Sequence, residues 1–326
     1  MSSSKKVLIT FHTVFAIERD YIYIASKPDS FDEEEEFTRL FFYDEQHKDN
    51  PWLYHDLPGW SVVSLCVVEK TTTSPRQYCA LSKQGQLEFD WPGGGKKIEI
   101  IDGAGLLRQS LPIYGYVNSI RQISGNLFVC GSGGQIYKRT ETGWVDFAPQ
   151  FKTPAKRLSS GLVTNTIVFH EFSDINGFSQ EDLYVIGIGE IYHFDGHNWK
   201  QCPISTDEIL NRICCADGKV WICGYNGTLL VGDAKSGFKE LSRFTDNMTF
   251  SDLGWLNGVI YFASNEGLFY LDEDGILNQV NTGLNPKVTD TNAISVCDGI
   301  LWSVGYKDIV YFNGTEWARL KHPDNY

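Results

Sequence analysis

Apolar positions cluster along the chain in short runs that end in Gly or Ser: LFVCG at 127–131, LYVIG at 183–187, VWICG at 220–224, IYFAS at 260–264 and LWSVG at 301–305. Two weaker copies precede them, IYIAS at 22–26 and YCALS at 78–82. The second position is aromatic in six of the seven: Tyr23, Phe128, Tyr184, Trp221, Tyr261 and Trp302, with Cys79 the exception. These runs are apolar at consecutive positions, the pattern of a strand buried on both faces.

Each run is followed by a few polar or Gly residues and a second β-rich run, such as QIYKR, EIYHF, TLLVG, GLFYL or DIVYF. A turn signal comes next (ETG, DGHN, DAKSG, DEDG or NGTE), then a third run opened by Trp144, Trp199, Phe238, Ile276 or Trp317, and by Trp52 in the first copy. Ahead of the anchor lies another strand-like stretch, ending in a turn such as Gly125-Asn126, Asp217-Gly218, Asn257-Gly258 or Asp298-Gly299. Both central residues of a type I′ turn need positive φ, so these dipeptides read as hairpins. Each unit is therefore four short antiparallel strands, a to d.

The later anchors, ending at Gly187, Gly224, Ser264 and Gly305, lie 37, 40 and 41 residues apart. Four strands in roughly 40–45 residues make the blade of a β-propeller. One blade cannot bury both its faces; blade stacked on blade can, which explains strands that are apolar on both sides. The expectation is an all-β chain forming a single seven-bladed β-propeller domain of four-stranded antiparallel blades, with six blades as the alternative count. The blades are expected at about 7–57, 61–101, 117–148, 171–203, 210–241, 249–281 and 290–321, with an inserted segment at 148–166. Residues 316–320 already supply strand d of the last blade, so residues 7–11 have two places open to them: blade 1 or blade 7.

The pattern VxG-x-G-x-I-Y-x-x-DG-x-x-W resembles divergent bacterial propellers of the broad WD40 and kelch-like class. No blade carries GH before strand a or WD at the end of strand c. The resemblance accordingly implies the fold and transfers no function.

In such a fold the a–b and c–d turns share one face, and here they are short. The b–c and d–a connections share the other face, where the chain is decorated. The first b–c loop, PDSFDEEEEFTR, holds Asp32, Glu33, Glu34, Glu35 and Glu36 in succession. Other b–c loops present Tyr225, Asn226, Glu266, Tyr306 and Lys307, and the starts of strand a offer Asn118, Asp174, Asn211, Arg212, Asp252 and Asn292. Binding surfaces are commonly built where loops vary on a fixed scaffold, so these residues are the expected partner-binding face.

Charge narrows the kind of partner. The chain has 326 residues, 28 Lys and Arg against 41 Asp and Glu, and a net charge of −13. That opposes general nucleic-acid binding, which needs a basic face, and docking on anionic membranes. It favours a basic protein partner, because complementary fields speed encounter. No apolar run approaches the ~20 residues of a membrane-spanning helix, and the N-terminal residues read as mature protein rather than a signal peptide. The eight cysteines lack CxxC spacing and several lie in strand patterns. They read as buried reduced thiols of a cytoplasmic protein.

Candidate chemistry is sparse. His193, Asp195 and His197 sit at i, i+2 and i+4, a spacing that invites a metal reading. The equivalent residues of the last blade are Tyr311, Asn313 and Thr315. No metal site is therefore expected, and Asp195 and Asn313 read as turn-capping residues. Cys214 and Cys215 are adjacent on a strand and point to opposite faces, as packing residues do. The seven histidines occupy no common repeat position and no GxSxG elbow is present. No catalytic set and no cofactor are expected.

The sequence thus favours a non-enzymatic, monomeric protein-binding propeller. It would present its acidic face to a basic partner, as an immunity or inhibitor protein occluding a toxin or enzyme does. Two alternatives stand beside it. One is a hydrolase, lyase or lactonase working in the central channel with Asp174, Asp252 and Arg212. The other is a carbohydrate-binding propeller using the tryptophans that open strand d.

Overall fold

The computed structural model describes residues 7–106, 112–154, 156–157, 163–164, 169–241 and 248–326. Much of the segment expected as an insertion at 148–166 lies outside the described residues. The fold is a seven-bladed β-propeller, each blade a four-stranded antiparallel meander. No helix among the described residues is long and apolar enough to cross a membrane.

Blade 1 is β1 (Ile9–Glu18), β2 (Tyr21–Pro28), β3 (Phe37–Asp44) and β4 (Trp52–Pro58). Blade 2 is β5 (Val62–Val68), β6 (Gln77–Ser82), β7 (Gln86–Trp91) and β8 (Gly95–Ile100). Blade 3 is β9 (Val117–Ile123), β10 (Asn126–Gly131), β11 (Gln135–Thr140) and β12 (Gly143–Asp146). A small hairpin of β13 (Lys156–Arg157) and β14 (Val163–Thr164) follows. Blade 4 is β15 (Asp174–Ser179), β16 (Asp182–Gly187), β17 (Glu190–Phe194) and β18 (Trp199–Cys202). Blade 5 is β19 (Leu210–Ala216), β20 (Lys219–Gly224), β21 (Leu229–Asp233) and β22 (Gly237–Glu240). Blade 6 is β23 (Phe250–Leu256), β24 (Val259–Ser264), β25 (Gly267–Leu271) and β26 (Leu277–Gln279). Blade 7 is β27 (Ala293–Cys297), β28 (Ile300–Val304), β29 (Ile309–Phe312) and β30 (Trp317–Leu320). The blades fall into two compact units, blades 1, 6 and 7 in one and blades 2 to 5 in the other.

The repeated anchor is the second strand of each blade, and its side chains alternate between two seams. Leu183 and Val185 of β16 join Phe128, Cys130 and Ile136 of blade 3. Their neighbours Tyr184 and Ile186 join Ile213, Ile222 and Leu230 of blade 5. Similar seams join blades 2 and 3, 6 and 7, and 7 and 1. Each large apolar side chain buried this way contributes about 1.5–3 kcal/mol, which is why the anchors are apolar at every position. The Gly that ends several anchors has a steric cause. A Cβ on Gly187 would collide with the Glu171 carbonyl, and one on Gly224 with the Ile209 carbonyl.

Four a–b turns carry positive φ at both central residues: Ser124-Gly125, Asp217-Gly218, Asn257-Gly258 and Asp298-Gly299. The first differs by one residue from the expected Gly125-Asn126. Ser124 takes the left-handed position and Asn126 opens β10.

Residues 9–11 belong to β1 and hence to blade 1, paired along β2. Blade 7 draws all four of its strands from the end of the chain, so blades 7 and 1 meet without sharing a sheet. Side chains that follow β30 reinforce the apolar seam of their joint. His322, 1% exposed, packs edge-on to Phe11, Phe41 and Trp52 of blade 1. The Asn325 amide works as a substitute strand: its Oδ1 accepts from Ile9 N at 3.0 Å, and its Nδ2 donates to Ile9 O at 3.0 Å and Lys307 O at 3.1 Å. Replacing His322 with Ala leaves a cavity among three aromatic rings and is expected to cost about 2 kcal/mol. Thermal unfolding checks this, and Asn325→Ala should lower the midpoint in the same direction by a smaller amount.

Candidate recognition face

The first strand of each blade is an edge strand, and its outward backbone groups have no partner in its own sheet. The structure supplies partners from the neighbouring blade. Ser64 Oγ accepts from Ile120 N at 3.1 Å. Asp174 Oδ2 accepts from Ile213 N at 3.2 Å, and Asp252 Oδ2 from Ile294 N at 2.9 Å. Asn118 Nδ2 donates to Phe172 O at 2.8 Å, and Ser251 Oγ to Asn292 O at 2.9 Å. These polar residues near the starts of β5, β9, β15 and β23 stitch blade to blade.

That placement decides what Asp174 and its companions can do. Asp174 is 0% exposed, so its carboxylate is not offered to solvent. Arg121 of blade 3 grips it with Nη2 at 2.8 Å and Nε at 3.2 Å, and Ser119 donates a further hydrogen bond. Burial pushes the carboxyl pKa up, but Arg121, then Arg212, and these hydrogen bonds outweigh it and hold it below the usual value. The direct ion pair is therefore with Arg121, while Arg212 adds its field and donates to Asn211 O. Asp252 is occupied by Ile294 N and by its own neighbour Leu253 N. Asn292 lies half-buried, bonded to Val304 O through its backbone N. Asp174, sealed from solvent, is thereby withdrawn from the channel-enzyme alternative, while Asp252 stays partly exposed.

The acidic loop is built differently from a solvated run. The Lys27 ammonium donates to the carbonyls of Asp32, Glu33 and Glu35, so the loop backbone wraps around one cation. Phe31 and Phe37 stack at 4.0 Å across its base. The side chains of Asp32, Glu33, Glu34 and Glu35 are left exposed, and Glu36 is half-buried. Lys307 from the b–c loop of blade 7 reaches across to Asp29 at 2.5 Å and Thr10 at 2.8 Å. Its charge thus clamps blades 7 and 1 together. The adjacent Tyr306 is 51% exposed, with its backbone N held by Asp290 Oδ2 at 2.6 Å. Glu266 on blade 6 is exposed. In the other unit Tyr225 is 42% exposed, and the exposed Asn226 donates to Glu208 at 2.8 Å.

The histidine group resolves into hairpin chemistry. Asp195 Oδ1 accepts from His197 N and Asn198 N at 3.0 and 2.8 Å, and His193 Nε2 lies 2.8 Å from Asp182. The same cap recurs at Asp233, Asp272 and Asn313. The tryptophans that open the outer strands are packed in seams: Trp144 between blades 2 and 3, Trp199 between 3 and 4, Trp317 between 6 and 7. Trp144 also donates to Glu99 at 3.0 Å. All eight cysteines are free. Two features were not found from the sequence: the His322 plug, and a cleft between blades 7 and 1 lined by Trp302, Tyr43 and Tyr311.

No protein-family model matches the chain. It is 30% identical over 268 residues to the immune protein Tsi7 of Pseudomonas aeruginosa, covering 81% of each chain. Among solved structures it is similar to the WD40 propeller domain of Doa1, with a TM-score of 0.60, 13% identity and coverage of 98% and 97%. The propeller domain of Cps50 (Swd1) from Myceliophteria thermophila gives 0.62, at 10% identity and coverage of 94% and 98%. Virginiamycin B lyase from Staphylococcus aureus gives 0.57, at 9% identity and coverage of 79% and 84%. At these identities the solved structures speak to the fold alone.

Asp174→Ala should cost about 3 kcal/mol, because it strands Arg121 and the Ile213 amide. Urea unfolding checks this. The folded-state pKa of Asp174 is depressed, so its contribution is full above the unfolded carboxylate range and is lost as pH falls through the lower folded value. The stability gap between wild type and Asp174→Asn should therefore shrink as the solution is acidified.

Proposed function

We propose that this chain, which belongs to the family of the immune protein Tsi7, is a non-enzymatic immunity protein that binds a toxin and occludes it. The observation that carries this reading is the 30% identity across 81% of both chains. The acidic loop supplies the physical means. Its carboxylates are exposed and its backbone is fixed around Lys27, so little ordering entropy is lost on docking. With a net charge of −13, the field steers a basic partner surface toward the chain.

The contact set we propose is Asp32, Glu33, Glu34, Glu35, Glu266 and Tyr306 in one unit, and Tyr225 and Asn226 in the other. Asn118, Asp174, Asn211, Arg212, Asp252 and Asn292 serve the scaffold in this reading, and Lys307 orders the loops around it. A non-enzymatic role is supported by carboxylates committed to neighbouring backbone and by inert thiols. Burial pushes the Cys66 thiol up to about 12, and those of Cys79 and Cys130 well above the ordinary value. Eight free cysteines fit a reducing compartment, so we place the protein in the cytoplasm as a monomer that forms a 1:1 complex.

The test begins with capture of the partner from native cells and its expression alone and together with the chain. The partner should arrest growth by itself, and the chain should restore it; a captured protein without toxicity removes the reading. With the purified pair, replacing Asp32, Glu33, Glu34 and Glu35 by their amides should slow association about tenfold at low salt and change dissociation little. Association that ignores both salt and these substitutions would show that another surface does the binding.

A further inference from the structure

We propose that the cleft between blades 7 and 1, at the strand ends away from the acidic loop, binds a small zwitterion of amino-acid size. The site goes beyond the immunity reading and does not rest on it. The cleft holds ≈ 360 Å³, within the range of small-molecule sites. Its lining comes from the a–b turn and the end of β3 in blade 1, and from β28, β29 and β30 in blade 7.

Three observations define what would fit. The first is Trp302, which lines the cleft and is 2% exposed. Its indole N–H has no hydrogen-bond acceptor among the described residues, whereas buried indole donors ordinarily have one. The second is the aromatic wall. Trp302 lies 4.8 Å from Tyr311, and Tyr43 faces the same space. Burial first, then Glu45 and its neighbours, push the Tyr43 phenol up to about 12, so it stays protonated and able to donate.

The third observation is a mouth with charges of both signs. Arg19 and Glu45 are exposed there and have no side-chain partner among the described residues, while the Asp20 carboxylate accepts a 3.2 Å bond from Gln46. Arg319 also lines the cleft, but Asp308 binds it at 2.8 and 2.9 Å and balances its charge.

Neither a simple anion nor a simple cation answers all three. An anion would meet Asp20 and Glu45. A cation would meet Arg19 and leave the indole N–H without an acceptor. A zwitterion satisfies both. Its carboxylate takes Arg19 and, once the Trp302 ring turns from its buried position, the indole N–H; its ammonium takes Asp20 and Glu45, and its side chain lies against the tyrosine rings. Charge-assisted bonds at both ends select for a molecule carrying both groups.

Calorimetric titration tests this with L-leucine and L-phenylalanine, each beside its amide and its N-acetyl derivative. The free amino acid should bind saturably with Kd of millimolar or below. Each derivative, having lost one charge, should bind about tenfold more weakly. Arg19→Gln should close the gap between amino acid and amide; Glu45→Gln should close the gap to the N-acetyl form. Both substitutions are on exposed residues and leave the fold in place. Trp302→Phe keeps a ring in the seam and removes the donor, and should weaken the free amino acid about fivefold. No saturable binding up to about 10 mM, or equal binding of all three forms of both amino acids, would overturn the proposal.

Discussion

An edge strand cannot leave its outward N–H and C=O groups dry and unpaired. In this molecule the first strand of every blade is such an edge, packed against the first strands of its neighbours within each unit. The solution is to bring acceptors and donors from the adjoining blade: Ser64 to Ile120, Asp174 to Ile213, Asp252 to Ile294, and Ser295 Oγ to Ala16 N at 2.8 Å. Outside this polar stitching lie the apolar seams, where the anchor strands divide their side chains between two neighbours. A blade removed from its neighbours would lose both. The stability of each blade therefore resides in its contacts with the next, which is the physical content of a repeat fold.

The same constraint explains what could be read from the sequence and what could not. Seven anchors, six of them aromatic at the same position, carry the fold, because seam packing favours similar residues at the same place in successive copies. The Asx caps at Asp195 and Asn313 were legible for the same reason. Asp174 and Asp252 looked like groups of a binding face or a channel site because a carboxylate used to bind a neighbouring amide is spelled no differently from one facing water. Burial is set by the adjoining blade, about forty residues away in the chain, and no local pattern reports it. The Ser124-Gly125 turn slipped by one residue because Gly125-Asn126 is also a good turn dipeptide, and the register of β10 against β9 decides between them.

Features that occur once are the ones a repeat comparison hides. His322 has no counterpart in other blades, yet it joins blades 7 and 1 where no shared strand does so. Phe151, at the start of the inserted segment, similarly plugs the seam of blades 3 and 4 against Phe172, Tyr192 and Trp199. Lys27 was invisible as the organiser of the acidic loop, because its partners are backbone carbonyls and carry no side-chain signature. The sequence therefore showed the acidic face but not the fixed scaffold beneath its exposed carboxylates.

These single-copy features bear on how one fold can serve many partners. The stitched inner strands and apolar seams tolerate few changes, because each residue answers to a neighbour. The b–c loop of blade 1 answers mainly to itself: its carbonyls are satisfied around Lys27, and the Lys307–Asp29 pair fixes its position from the adjoining blade. Substituting the exposed carboxylates changes the surface potential without touching either device. A propeller built in this way can exchange one partner for another by changing side chains at the rim, while Lys27 and Lys307 keep the loops in place.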